Sequence, residues 1–168
     1  MTKQHAILID AMTEYDKGDP ERIQHFVKVH DLAATIGILE GLDEETMFLL
    51  ETVAIVHDIG IHKAEEKYHA NTGKYQEMEG PDEAEKLLRS LGGYTEEQIA
   101  RVKYVVGHHH TYTNIDGMDY QILVEADFLV NLYENHSKYA SVLSVENRIF
   151  KTKAGMRLLE NMFKERYQ

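Results

Sequence analysis

Apolar positions recur along this chain at the spacing of amphipathic helices, and nowhere do they alternate for long enough to make a strand. A first helix is predicted from His5 to Tyr15, ending near Gly18. Asp19-Pro20-Glu21 is a strong helix start: a capping carboxylate, a proline in the first position and an acid in the first turn. That helix is expected to run to Glu40, with Gly41 closing it. Asp43-Glu44-Glu45 opens the next, which runs through Leu49, Val53 and Val56 to His57-Asp58, where Gly60 can stop it. Residues 62–79 are polar and lack a clean period, and are read as a loop with at most a helical turn. Gly80-Pro81-Asp82 is predicted to start a short helix ending at Gly92-Gly93. Thr95-Glu96-Glu97-Gln98 is predicted to start a capping-box helix reaching Gly107. Asp119 starts the helix that carries Asp127, and a last amphipathic helix covers roughly residues 145–167. The expected fold is all-α and in one domain, residues 1–168, with its core over about 19–133.

Composition narrows what such a bundle can do. A length of 168 residues suits one domain with a sizeable core, and 43% hydrophobic with 28% charged residues is a globular balance. Cysteine is absent, which excludes disulfides, thiolate metal ligands and cysteine nucleophiles. The net charge of −11 argues against binding polymeric nucleic acid, which requires a basic face. It also repels phosphorylated ligands at long range, so a protein handling them needs local cations or a metal in its cleft. Ala6-Ile7-Leu8-Ile9 before Asp10 is too short for a signal-peptide core or a membrane span, so no membrane association and a cytoplasmic location are expected.

A few polar residues fall where apolar ones belong. His57-Asp58 closes the apolar run Val53-Ala54-Ile55-Val56. His25 lies on the stripe Arg22, Phe26, Val29, Leu32, Ala33 and Ile36, and Asp127 stands between Ile122-Leu123-Val124 and Phe128-Leu129-Val130. An ionised carboxylate is costly to bury unless it is paired or bound to metal. Three predicted helices thus direct His, His-Asp and Asp inwards, and a divalent cation is the simplest partner for all four. A metal-free hydrogen-bonded cluster is the plainer alternative. With nitrogen and oxygen donors only, Mn, Fe, Co, Ni or Zn suits the set. Four protein ligands on an ion that accepts about five or six leave positions for water and substrate, as catalytic sites do.

These segments resemble the HD-domain superfamily of metal-dependent phosphohydrolases. The resemblance rests on Arg22-Ile23-Gln24-His25-Phe26-Val27-Lys28-Val29, Ala54-Ile55-Val56-His57-Asp58-Ile59-Gly60, Val106-Gly107-His108-His109-His110 and Glu125-Ala126-Asp127, in family order between about Asp19 and Tyr133. It implies a helical HD-type bundle with one divalent ion (Mn, Fe, Co, Ni, Zn or Mg) on His25, His57, Asp58 and Asp127. It also implies hydrolysis of a phosphate ester, of a nucleotide or another small phosphorylated metabolite, by a metal-activated water. Asp58 would both ligate the ion and orient or deprotonate that water. Arg22, His108, His109 and Lys63 are expected to contact the substrate, Arg22 from one turn before His25 and Lys63 from the loop.

Two departures from the family pattern favour one ion over two. Ile61 stands in the lysine slot of HDIGK, and Gly80 stands where two-metal members carry a histidine. The long extra signature of relatives that cleave cyclic dinucleotides is missing. The competing expectation is a catalytically silent module that binds metal and nucleotide as a sensor; an iron-pair oxygen enzyme is a further rival that Gly80 disfavours. Specificity is expected in residues 62–79 and in the turn from Tyr112 to Asp119. His110 is read as the least engaged of its triplet and His30 as an ordinary exposed residue. The exposed side of the C-terminal helix could support a homodimer.

Overall fold

The computed structural model describes residues 1–164. Among them lie nine α-helices and no strand: α1 (Lys3–Tyr15), α2 (Pro20–Leu39), α3 (Glu44–Val56), α4 (Ile61–Tyr68), α5 (Gly73–Leu91), α6 (Glu96–Val106), α7 (Met118–Glu134), α8 (Tyr139–Arg148) and α9 (Lys153–Phe163). The helix starts follow from their caps. The Asp19 side chain accepts the amide of Arg22, Asp43 accepts that of Thr46, and Thr95 and Gln98 make a reciprocal capping box. At the far end of α2, Gly41 takes a positive φ of 74°, which glycine adopts without a steric cost.

α3 is buried on every side from Leu50 to Val56, which makes it the rod around which the other helices are laid. α2 packs along α3 and along α7, while α1 and α6 close other flanks of α3. This trio fixes the chemistry, because α2, the end of α3 and α7 carry the inward-directed polar residues. Packing against two partners also widens the buried arc of α2 beyond one stripe. His30, read as exposed, is buried, and its Nε2 meets the buried Glu51 carboxylate of α3 at 2.9 Å.

Two segments differ from the sequence expectation. Residues 62–79 do not form a loop: they hold α4 and the first third of α5. The short helix expected from Pro81 is the latter part of α5, with Pro81 inside it. The buried face of α5 runs Gln76, Gly80, Ala84 and Leu88, a helical i, i+4 row whose first two members are not apolar. That is why the hydrophobic period is silent there. The C-terminal helix expected over 145–167 is two helices, α8 and α9, and its last residues, Tyr167 included, lie outside the described ones. The break is built by Glu125 of α7, whose buried carboxylate accepts the amides of Lys151 and Thr152 and the Thr152 hydroxyl. Thr152 then caps α9 by accepting the amide of Gly155.

α5 crosses the turn after α3 at close range. A Cβ on Gly60 would stand 2.7 Å from the Gln76 carbonyl and from the Gly80 amide nitrogen. Both obstacles are backbone and cannot swing aside. Gly60→Ala is expected to cost about 1–3 kcal/mol. Urea denaturation should show a lowered midpoint at unchanged slope. An unaltered midpoint would mean that α5 can shift away freely.

Candidate metal centre

Residues far apart in the chain meet where α2, the end of α3 and α7 converge. His25 Nε2 lies 3.3 Å from His57 Nε2 and 3.1 Å from Asp127 Oδ1. Asp58 Oδ2 stands 3.5 Å from His25 Nε2 and 3.4 Å from His57 Nε2, and Asp127 Oδ1 is 3.6 Å from the latter. Donors at about 2.0–2.2 Å from one ion stand roughly 3–3.5 Å from each other at octahedral to tetrahedral angles. His25, His57 and Asp58 therefore form a group that could hold a metal ion, with Asp127 against both imidazoles.

The orientation of each ring supports the same fit. His25 Nδ1–H donates to Glu134 Oε2 at 2.8 Å, and His57 Nδ1–H donates to the Ala54 carbonyl at 2.9 Å. With Nδ1 committed as a donor, each Nε2 presents a lone pair to the cluster. Ala54 is among the last residues of α3, so the ring takes up a carbonyl left open at a helix end. Behind His25, Glu134 is held by Lys28 at 2.6 Å, and Asp127 accepts the Asn131 amide at 2.8 Å.

In the metal-free molecule protons must keep these lone pairs apart. Burial opposes a charged His57, but the adjoining Asp58 carboxylate and the bonds to Asp127 and Asp58 hold it well above the ordinary 6.5. His25 is raised in the same way, burial being outweighed chiefly by its bond to Asp127. Asp58 and Asp127 are held low: burial would raise both, and the histidines facing them prevail.

The second oxygen of Asp58 serves another group. His109 Nδ1–H donates to the Val106 carbonyl at 2.8 Å, and its Nε2 lies 3.3 Å from Asp58 Oδ1. Asp58, His109 and His110 make a further group of possible metal donors. Burial and the neighbouring His109 push the His110 imidazole down to about 4, and its Nε2–H donates to Gln76 Oε1 at 2.8 Å. A Cβ on Gly80 would meet Val106 Cγ1 at 2.7 Å.

Above the cluster opens a cleft of about 410 Å³, lined among others by Arg22, His25, Asp58, Gln76, His110, Asp127 and Asn131. Arg22 is among the lining residues. His109 reaches Asp58 from below. His108 turns away: its Nδ1 bonds the Tyr104 carbonyl and its ring stacks on Tyr104 at 4.4 Å. His110, not the expected His108, lines the cleft and stands with His109 near Asp58, because successive residues of the turn point in different directions. Lys63 points along the exposed face of α4 and pairs with Glu66 at 2.8 Å, outside the cleft lining. Sequence reading passed over Asn131 and Glu134, although their spacing of four and seven residues from Asp127 puts all three on one helical face. Gln76 gave no signal, since its helix was not foreseen.

An all-helical bundle with a buried His, His-Asp and Asp cluster under a polar cleft defines a candidate metal-binding helical protein. The HD-domain family model matches residues 22–152, and the chain belongs to that family. Its structure is similar to the crystal structure of a predicted HD superfamily hydrolase from an uncultured Thermotogales bacterium. The TM-score is 0.67 at 23% identity, over 96% of this chain and 86% of the other. At that identity the likeness speaks for the fold. No curated protein gives a match. Among the described residues no helix is long and apolar enough to cross a membrane.

Two outcomes follow for the metal. Removing the carboxylate behind His25, in Glu134→Ala, should weaken Mn²⁺ affinity by roughly 10–100-fold in a chelator competition; unchanged affinity would make Glu134 incidental. In the metal-free protein the raised His25 and His57 contribute stability that is complete below the ordinary 6.5 and lost as pH rises through their raised values. Its Tm should therefore fall as the pH is taken upward from 6.5, and Mn²⁺ should cancel the fall by replacing the protons. A metal-free Tm that climbs over this range would contradict the assignment.

Proposed function

We propose that this protein is a metal-dependent phosphohydrolase acting on a nucleotide or another small phosphorylated metabolite. The observation that carries the reading is the convergence of two imidazole lone pairs and two carboxylates on the floor of a cleft with an arginine at its mouth. The similar fold described as a predicted HD superfamily hydrolase supports it. His25, His57, Asp58 and Asp127 would hold one divalent ion, which when bound supplies Lewis acidity toward water and a phosphoryl oxygen.

The remaining roles belong to the protein's own side chains. Arg22 offers the charged donors that a phosphoryl group requires in a molecule whose overall charge is negative. Asp58 has Oδ2 turned to the metal donors and Oδ1 turned to His109, so one carboxylate can orient a water from the side opposite the ligands. A cavity of about 640 Å³, lined by Gln24, Lys28, Tyr133 and His136, adjoins the cleft through Glu21, Glu134 and Asn135. It has room for the part of the substrate that leaves.

Phosphate release from nucleotides and small phosphomonoesters with Mn, Co, Ni, Fe, Zn or Mg should be metal-dependent and lost by at least roughly 100-fold in Asp58→Ala. Arg22→Ala should mainly raise KM, by roughly 10–100-fold. Silence across the panel from protein shown to contain metal would move the reading to a binding module.

A further inference from the structure

Arg22 reaches the cleft through contacts in which the metal donors take no part. Asp16, at the end of α1 and only 5% exposed, meets His62 Nε2 through Oδ1 at 2.8 Å. A carboxylate only accepts, so the ring proton sits on Nε2 and Nδ1 is left as a lone pair. That lone pair faces Arg22 Nη1 at 2.9 Å, and a guanidinium only donates. Glu65 holds Nη2 at 2.7 Å, and Asp19 lies 3.3 Å from Nε. Nη1 and Nη2 each commit one N–H and Nε faces Asp19, so one N–H on each terminal nitrogen is left for a ligand in the cleft that Arg22 lines.

We propose that His62 is a positioning residue: buried Asp16 fixes its tautomer, and its Nδ1 holds Arg22 in the pose that receives a tetrahedral oxyanion. That the oxyanion is a substrate's phosphoryl group rests on the proposed function; the hold on Arg22 does not. The charged and titratable groups around this ring are Tyr15 and Asp16 from α1, Asp19 and Arg22 from the start of α2, and Glu65 on its own helix. From α5, Glu83 acts through the Tyr15 hydroxyl.

Sulfate tests this, because its charge is constant from about pH 5.5 to 8 while its shape is that of a phosphoryl group. Calorimetric titration in excess Mn²⁺ gives the affinity ratio of wild type to Arg22→Gln, in which titrations elsewhere cancel. The ratio should be roughly 10–100 at pH 7.5 and fall toward one in a His62→Ala background. In a His62→Asn background, where Oδ1 replaces Nδ1 as an acceptor, it should stay high. The His62 side-chain nitrogen resonances should show the Nε2–H tautomer at pH 7.5 and a mixture in Asp16→Asn. A ratio near one at pH 7.5, or one as high in His62→Ala as in the unsubstituted protein, overturns the proposal. Phosphate release without this coupling would sink His62 and leave the hydrolase standing; coupling without phosphate release would do the reverse.

Discussion

The structure depends on holding together atoms that repel one another. Two imidazole lone pairs and two carboxylate oxygens face each other at 3.1–3.6 Å on the floor of the cleft, backed by apolar helices. None of them carries a hydrogen to share until a proton arrives or a cation takes its place. Left alone in a low-dielectric interior, such a set would drive its helices apart. Its geometry is therefore imposed from behind: by the Ala54 carbonyl on His57, by Glu134 on His25, and by the packing of α2 and α7 on α3. The outer acceptors turn four ordinary polar residues into a site with one direction.

Those inner residues were legible because they violate the hydrophobic pattern. His25, His57, Asp58 and Asp127 each interrupt an apolar face, and only a shared partner reconciles them with burial. Helix starts were equally legible at Asp19, Asp43 and Thr95, where capping chemistry is local. What escaped was whatever depended on contact rather than period. α5 buries Gln76 and Gly80, one for its amide and one for its missing side chain, so no apolar rhythm betrays it. In the turn after α6 the rings of His108 and His109 are directed by the backbone carbonyls they find, and that of His110 by the Gln76 side chain. Spacing alone could not separate His108 from His110.

The acidic character of the chain is also unevenly used. Around the cleft the cations are engaged before any ligand arrives: Arg22 by Asp19 and Glu65, Lys28 by Glu134. Such pairing keeps flexible side chains in fixed poses, which lowers the ordering cost of binding, and it leaves little bare positive charge to attract anions from a distance. Selection at this cleft then rests on fit at close range.

Glu125 leads to a different property, that of how the molecule comes apart. Its carboxylate is fully buried and takes donors from Gln121, Lys151 and Thr152, two residues from Asp127 on the same helix. Peeling away the last helix would strand that charge among apolar side chains, a penalty far above the fraying of an ordinary terminus. The start of α9 and the helix α7 are thereby coupled in unfolding. Amide exchange within α9 becomes a remote gauge of order in α7.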